Sequence, residues 1–176
     1  MDKKHYWILT EHYKVILLLI FAIISIKHGQ AEEIQIENFI YNVNDHTAEA
    51  TLVGLSPEAP VEFSVIEIPE SINVNEKNYR VVGIDEYVFS ERTFGELSLP
   101  YTLEFINEGA FYKAKYSKNQ HLNLPQNIRY IGKKAFYGVE IVGDLIIPSS
   151  IERIEDYAFY KSQSSYSEVT PKSWTC

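Results

Sequence analysis

Two histidines follow residue 31: His46 in the stretch Asn44-Asp45-His46-Thr47, and His121 just ahead of Leu122-Asn-Leu-Pro125. An imidazole titrates near neutral pH, so either could act as a general base or a metal ligand. Each stands alone, however, with no nucleophile or second ligand at a spacing that would complete a site, and exposed or hydrogen-bonded histidines are the expectation. Asp85-Glu86 and Glu155-Asp156 are adjacent carboxylates that could approach a calcium ion, but neither lies in a loop turned by glycine, so solvated carboxylates are expected. The single cysteine is the last residue, Cys176. There is no Cys/His spacing for zinc, no glycine-rich phosphate loop and no Gly-x-Ser-x-Gly elbow. These residues predict neither an enzyme nor a metal or organic cofactor.

Charge and targeting narrow the partners. Val15 to Ile26 is an uncharged, apolar run behind Lys3, Lys4 and Lys14, and Gly29-Gln30-Ala31 places small residues before Glu32. That order reads as a signal peptide over residues 1–31, with an uncleaved signal anchor as the alternative. A dozen helical residues cover about 18 Å, short of a hydrocarbon core of roughly 30 Å. Removing 1–31 takes four of 16 basic and two of 24 acidic residues, leaving 12 against 22 and a net charge of −10. Such a chain is not attracted to nucleic acid or anionic lipid, and no membrane insertion is expected once the signal is cut. Secretion or display at the cell surface is expected, and one terminal cysteine supplies no internal disulfide.

A repeat organises the rest. Leu97-Ser-Leu-Pro100, Leu122-Asn-Leu-Pro125 and Leu145-Ile-Ile-Pro148 open three copies, and Ile66-Glu-Ile-Pro69 opens a stretched fourth upstream. Three residues past each proline stands Ile72, Leu103, Ile128 or Ile151, and the later copies add Ile106, Ile131 and Ile154. Ala110-Phe111-Tyr112, Ala135-Phe136-Tyr137 and Ala158-Phe159-Tyr160 follow in register. Apolar-polar-apolar before each proline is the period of a half-buried strand, which the proline ends. The isoleucines line an opposite wall, and the phenylalanines are expected to stack in one column along the axis. Single copies cannot bury a core, so they must stack as a solenoid. The extra residues of the first copy, Asn73 to Tyr79, read as a polar loop. Upstream, two alternating runs around residues 44–47 read as a β-hairpin, so residues 32–64 are expected to cap the array, with repeats over 65–161. Residues 162–176 form a polar tail, disordered or marking a truncation.

The pattern Leu-x-Leu-Pro-x-x-Leu-x-x-Ile-x-x-x-Ala-Phe-Tyr resembles the BspA-like leucine-rich repeats over about residues 65–160. Where that family often has a small buried cysteine this chain has Ala114, Val139 and Ser162, and the family's glycine after the second-wall isoleucine survives only as Gly132. The resemblance implies a mainly β solenoid, a short horseshoe of about four coils, from a secreted or surface-attached protein of bacterial or protist type. It also implies adhesion to an extracellular, host or matrix protein. Such horseshoes bind on the concave sheet, where outward strand residues form columns. Here those are Glu67, Ser98, Asn123 and Ile146, flanked by Glu96, His121 and Asp144, with Tyr101 and Gln126 past the prolines. A mildly acidic face of this kind suits a protein with basic patches. The alternative is a truncated or structural repeat fragment without a binding function of its own.

Overall fold

The computed structural model describes residues 32–116, 121–141 and 145–162. The expected signal peptide, Asp144 and nearly all of the expected tail lie outside the described residues. Among the described residues no helix is long and apolar enough to cross a membrane.

The chain begins as three strands, β1 (Glu32–Ile36), β2 (Phe39–Asn44) and β3 (Glu49–Leu55). β2 and β3 pair antiparallel, with Asn44 opposite Glu49. The Asn44 side chain closes the turn, its Oδ1 accepting from the amides of His46 at 2.9 Å and Thr47 at 3.4 Å, as short polar side chains do when they replace a ladder bond. His46 is thus an exposed turn residue.

After β4 (Glu62–Glu67) come β5 (Ser71–Val74) and β6 (Lys77–Ile84). The insertion expected as a polar loop is therefore a β-hairpin. Its turn residues Asn75 and Glu76 have φ of 49° and 67°, the left-handed pair that suits the twist of a two-residue hairpin. Ile72 and Tyr79 face each other across it and are both buried. Period-2 burial holds these extra residues to the body, a pattern obscured in the sequence by the surrounding Asn, Glu and Lys.

The remaining strands are short: β7 (Thr93–Ser98), β8 (Phe105–Ile106), β9 (Lys115–Tyr116), β10 (Tyr130–Ile131) and β11 (Arg153–Ile154). They form two sheets. The larger runs β1-β2-β3-β6-β8-β10-β11, with β5 paired to β6, and is parallel from β3 onward. The upstream hairpin is continuous with the solenoid through the β3–β6 ladder. In register, Leu52, Ile84, Ile106, Ile131 and Ile154 form one inward column; the first four are fully buried and Ile154 is partly so. The smaller sheet is β4-β7-β9, also parallel.

The segment expected as the main repeat strand departs from that expectation. Only the first two copies carry it as a full ladder, Ile66 opposite Leu97 and Glu67 opposite Ser98, while residues 122–125 and 145–148 are in no strand. Unequal spacing accounts for this: Phe89 precedes Leu97 by eight residues, Phe111 precedes Leu122 by eleven, and Phe136 precedes Leu145 by nine. Strand register requires a constant path length, and these copies lack one between the Phe and the next Leu. The inward side chains still bury, Leu122 and Leu124 nearly completely and Leu97, Leu99, Leu145 and Ile147 in part.

The phenylalanine column forms as expected. Phe89, Phe111, Phe136 and Phe159 stack at centroid distances of 5.1, 5.1 and 5.2 Å, with ring planes within 15°, 4° and 2° of parallel. Outside it runs a second column, Tyr112, Tyr137 and Tyr160, at 5.1 and 5.5 Å. Between the columns the backbone follows a rule that the side-chain pattern does not reveal. Residues two before and two after each of the first three phenylalanines donate their N–H to the next coil, as Gly109 does to Lys133, Lys113 to Tyr137 and Gly138 to Tyr160, at 2.9, 2.7 and 2.9 Å. Each of these positions is left-handed, with φ of 56° and 59° at Tyr87 and Glu91, 59° and 52° at Gly109 and Lys113, and 55° and 69° at Lys134 and Gly138. A left-handed residue turns its amide out of the local turn and toward the neighbouring coil, at a cost that only glycine escapes.

One polar cluster ties the two hairpins together. Asp45 Oδ1 accepts from Lys77 Nζ at 2.7 Å and from the Tyr79 hydroxyl at 2.5 Å. The two donors hold the Asp45 carboxyl below its ordinary value. A depressed acid stabilises the fold fully above its unfolded pKa, about 3.9 for Asp, and ceases to do so as pH falls through the folded value. We therefore expect Asp45→Asn to lower the melting temperature slightly at pH 7, with the gap to wild type closing as the pH falls below about 4. Thermal melts across that range measure it.

Candidate functional site

Each residue expected on a binding face, apart from Asp144, can now be placed. On β4 and β7, Glu67 lies opposite Ser98 and Val65 opposite Glu96, and all four are exposed. Alternation sets this from Val65 onward, where Ile66 and Ile68 turn inward and Val65 and Glu67 outward; Phe63 and Phe94 are also buried, with Ser64 and Val65 both exposed between the two inward positions of β4. His121, Asn123 and Ile146 are exposed on the non-strand segments that occupy the same repeat positions, Ile146 at 72%. Tyr101 and Gln126 are exposed just past the buried Pro100 and Pro125, and the Tyr101 carbonyl is fixed by the Asn127 side chain at 3.0 Å. The strand ladder joins Glu67 with Ser98; the residues of later copies share their repeat position but not a ladder.

Val65 was not among the residues that the repeat pattern singled out. It is half exposed beside Glu96. Counting back from Ile66 to the position matching Glu96 would have found it, but valine there reads as core. Val61, 71% exposed, adds a second apolar side chain at the start of the same strand segment.

The opposite sheet presents a different surface. Arg80 bridges Glu49 at 2.8 Å and Glu104 at 2.7 Å, and one coil on Arg129 pairs with Glu152 at 2.8 Å. These side chains stand on or just ahead of neighbouring strands in alternating sign, so the surface neutralises itself, and exposed pairs of this kind add little stability. The adjacent carboxylates noted in the sequence also have partners: Asp85 accepts from Asn107 at 2.8 Å and Glu155 pairs with Arg153 at 2.6 Å. Asp85 makes a coil-to-coil contact, and Glu155 a local one within its own coil.

A cleft of about 580 Å³ opens beside the outer face of β4, bounded by the β1–β2 turn, β4 and β5. Phe39, Tyr41, Phe63 and Val65 give it apolar walls, and its charged lining residues are Glu37 and Glu67. Tyr41 is 1% exposed, and its hydroxyl is buried without a hydrogen-bond partner. Burial and the nearby Glu37 charge push this phenol well above the ordinary tyrosine range.

Comparison with known proteins agrees with the coil geometry. No curated protein sequence matches the chain. Among solved structures, a leucine-rich repeat protein from Bacteroides capillosus superposes with a TM-score of 0.56 at 22% identity, over 76% of this chain and 92% of that one. A leucine rich cell surface protein from Faecalibacterium prausnitzii superposes with a TM-score of 0.57 at 19% identity, over 78% of this chain. The present chain spans only 36% of that protein. At such identities these neighbours establish the fold. The family profile described as "BspA type Leucine rich repeat region (6 copies)" matches residues 82–175, more than half of the sequence and every faithful coil of the ladder, and the chain belongs to the BspA-type leucine-rich-repeat family.

Proposed function

We propose that this chain is an extracellular recognition module that binds a protein partner through the outer face of β4, β7 and the non-strand segments that follow. The observation that carries this reading is the composition of that face. Exposed apolar and aromatic groups, Val65, Tyr101 and Ile146, are interleaved with Glu67, Glu96, Ser98, His121, Asn123 and Gln126. Such mixing is typical of protein interfaces, with aromatic or aliphatic anchors and a polar rim. Its acidic side chains, in a chain of formal net charge −8, favour a partner with basic patches.

Export is supported by the N-terminal sequence pattern, and adhesion to cells or matrix is the use that best fits an exported repeat protein. Asp144 belongs to the same proposed face by its place in the repeat. The test is binding of the purified protein, expressed from the full chain, to a panel of basic and acidic extracellular matrix proteins and to whole cells. We expect binding to basic members, reduced at least tenfold by Tyr101→Ala combined with Asn123→Ala, with unchanged melting temperature. Retention of every interaction by that double variant would remove this face as the binding site.

A further inference from the structure

The cleft beside β4 differs from the rest of the outer face in being concave, with aromatic and aliphatic walls beside polar and acidic lining residues. We propose that it is an anchoring site for an arginine side chain of the protein partner, a step that rests on the recognition reading above. Val65 and Glu67 belong both to the cleft wall and to the exposed side of β4. A polypeptide lying along the outer face therefore passes the cleft mouth and can lower one side chain into it.

Three features select the chemistry of that side chain. The charged residues of the lining are two carboxylates, Glu37 and Glu67, with no basic residue among them, so an anion is repelled and a cation is attracted. The walls carry two aromatic rings, Phe39 and Phe63, with planes 6° apart and centroids at 6.5 Å. A guanidinium is planar and weakly hydrated and packs on aromatic rings, whereas an ammonium is a compact, strongly hydrated charge. Finally, Tyr41 is one of the lining residues, and its hydroxyl is buried with no partner, so a guest that parts the wall slightly can supply one. A phenol can accept from a guanidinium N–H while donating to a carboxylate. A purely apolar guest would leave this hydroxyl unsatisfied, at a standing cost.

The experiment titrates isotope-labelled protein, purified after expression of the full chain, with N-acetyl-arginine amide, N-acetyl-lysine amide and N-acetyl-leucine amide, following amide chemical shifts. We expect shifts concentrated at Phe39, Phe63 and Val65, at least fivefold tighter binding of the arginine amide than of the leucine amide, and weakening with salt. Glu37→Gln with Glu67→Gln should reduce arginine-amide affinity at least tenfold with an unchanged melting temperature, and Tyr41→Phe, which keeps the ring and removes the unsatisfied hydroxyl, at least threefold with a melting temperature equal to or above that of the wild type. Equal affinity for the leucine amide, or an arginine-amide response indifferent to the two glutamines, overturns the proposal. Tyr101→Ala with Asn123→Ala lies outside the cleft and should leave arginine-amide binding intact. If that variant loses a matrix protein that the glutamine pair still binds, the outer face stands as the recognition surface and the arginine anchor is rejected.

Discussion

Replacing Phe111 by alanine is expected to lower the unfolding free energy by about 3–5 kcal/mol, the range for emptying a fully buried aromatic site. Phe111 is the ring with the most to lose. It is 0% exposed, stacks on Phe89 at 5.1 Å and Phe136 at 5.1 Å, and meets Phe94 edge-on at 6.3 Å. Its backbone is also tied to the next coil, since its N–H donates to the Ala135 carbonyl at 2.8 Å, so the coil cannot close over the vacancy without breaking that bond. In a solenoid the loss also uncouples neighbours, because stability is shared between adjacent coils. Phe159, stacked on one neighbouring Phe ring and only partly buried, supplies the comparison: Phe159→Ala should cost about 1–2 kcal/mol, the share left when part of the apolar area was never removed from water. Urea unfolding of both variants measures the difference. Equal losses would mean that the rings do not form a cooperative column.

Adding a single methyl group at Gly132 should be almost as damaging, at about 3 kcal/mol, the upper part of the range for overpacking. A Cβ there would stand 2.6 Å from the Asn107 carbonyl carbon and 2.6 Å from the Glu108 nitrogen. Both are backbone atoms of the preceding coil, and Gly132 is locked to that coil by donating its own N–H to the Ile106 carbonyl at 2.7 Å. Neither side can yield. Gly54, where a new Cβ would touch only the Ile40 side chain at 3.8 and 3.9 Å, is the matched control, and Gly54→Ala should change stability little. Denaturant midpoints of the two variants decide the matter, and a mild Gly132→Ala would mean that the coils are more loosely stacked than these distances indicate.

The sequence was most legible where side chains repeat. The stacked phenylalanines, the inward isoleucines and the upstream hairpin were each readable from spacing, because one residue type in one register has only one way to stack. It was least legible where the backbone does the work. The left-handed positions around each phenylalanine carry Tyr, Glu, Lys and Gly indifferently, so no residue type marks them. The Asn73 to Tyr79 insertion looked like a loop because its two turn-facing polar residues outweighed the one buried pair that makes it a hairpin.

The candidate site divides in the same way. Sequence alone determined most of the residues that point outward, since alternation about Ile66, Leu97, Leu122 and Leu145 leaves few choices, although the exposed Val65 reads as core. Only the tertiary structure decided which of them are neighbours, because that depends on path lengths between copies: Glu67 meets Ser98 in a ladder, while Asn123 and Ile146 share a repeat position without one. Only the tertiary structure could reveal the cleft, since it brings Glu37 and Tyr41 from the first hairpin against Phe63 and Glu67 on β4. The repeat thus determined the coil from local, periodic burial. The closing of its first hairpin against the first coil, a contact between unlike segments, created a concave surface that no periodicity encodes.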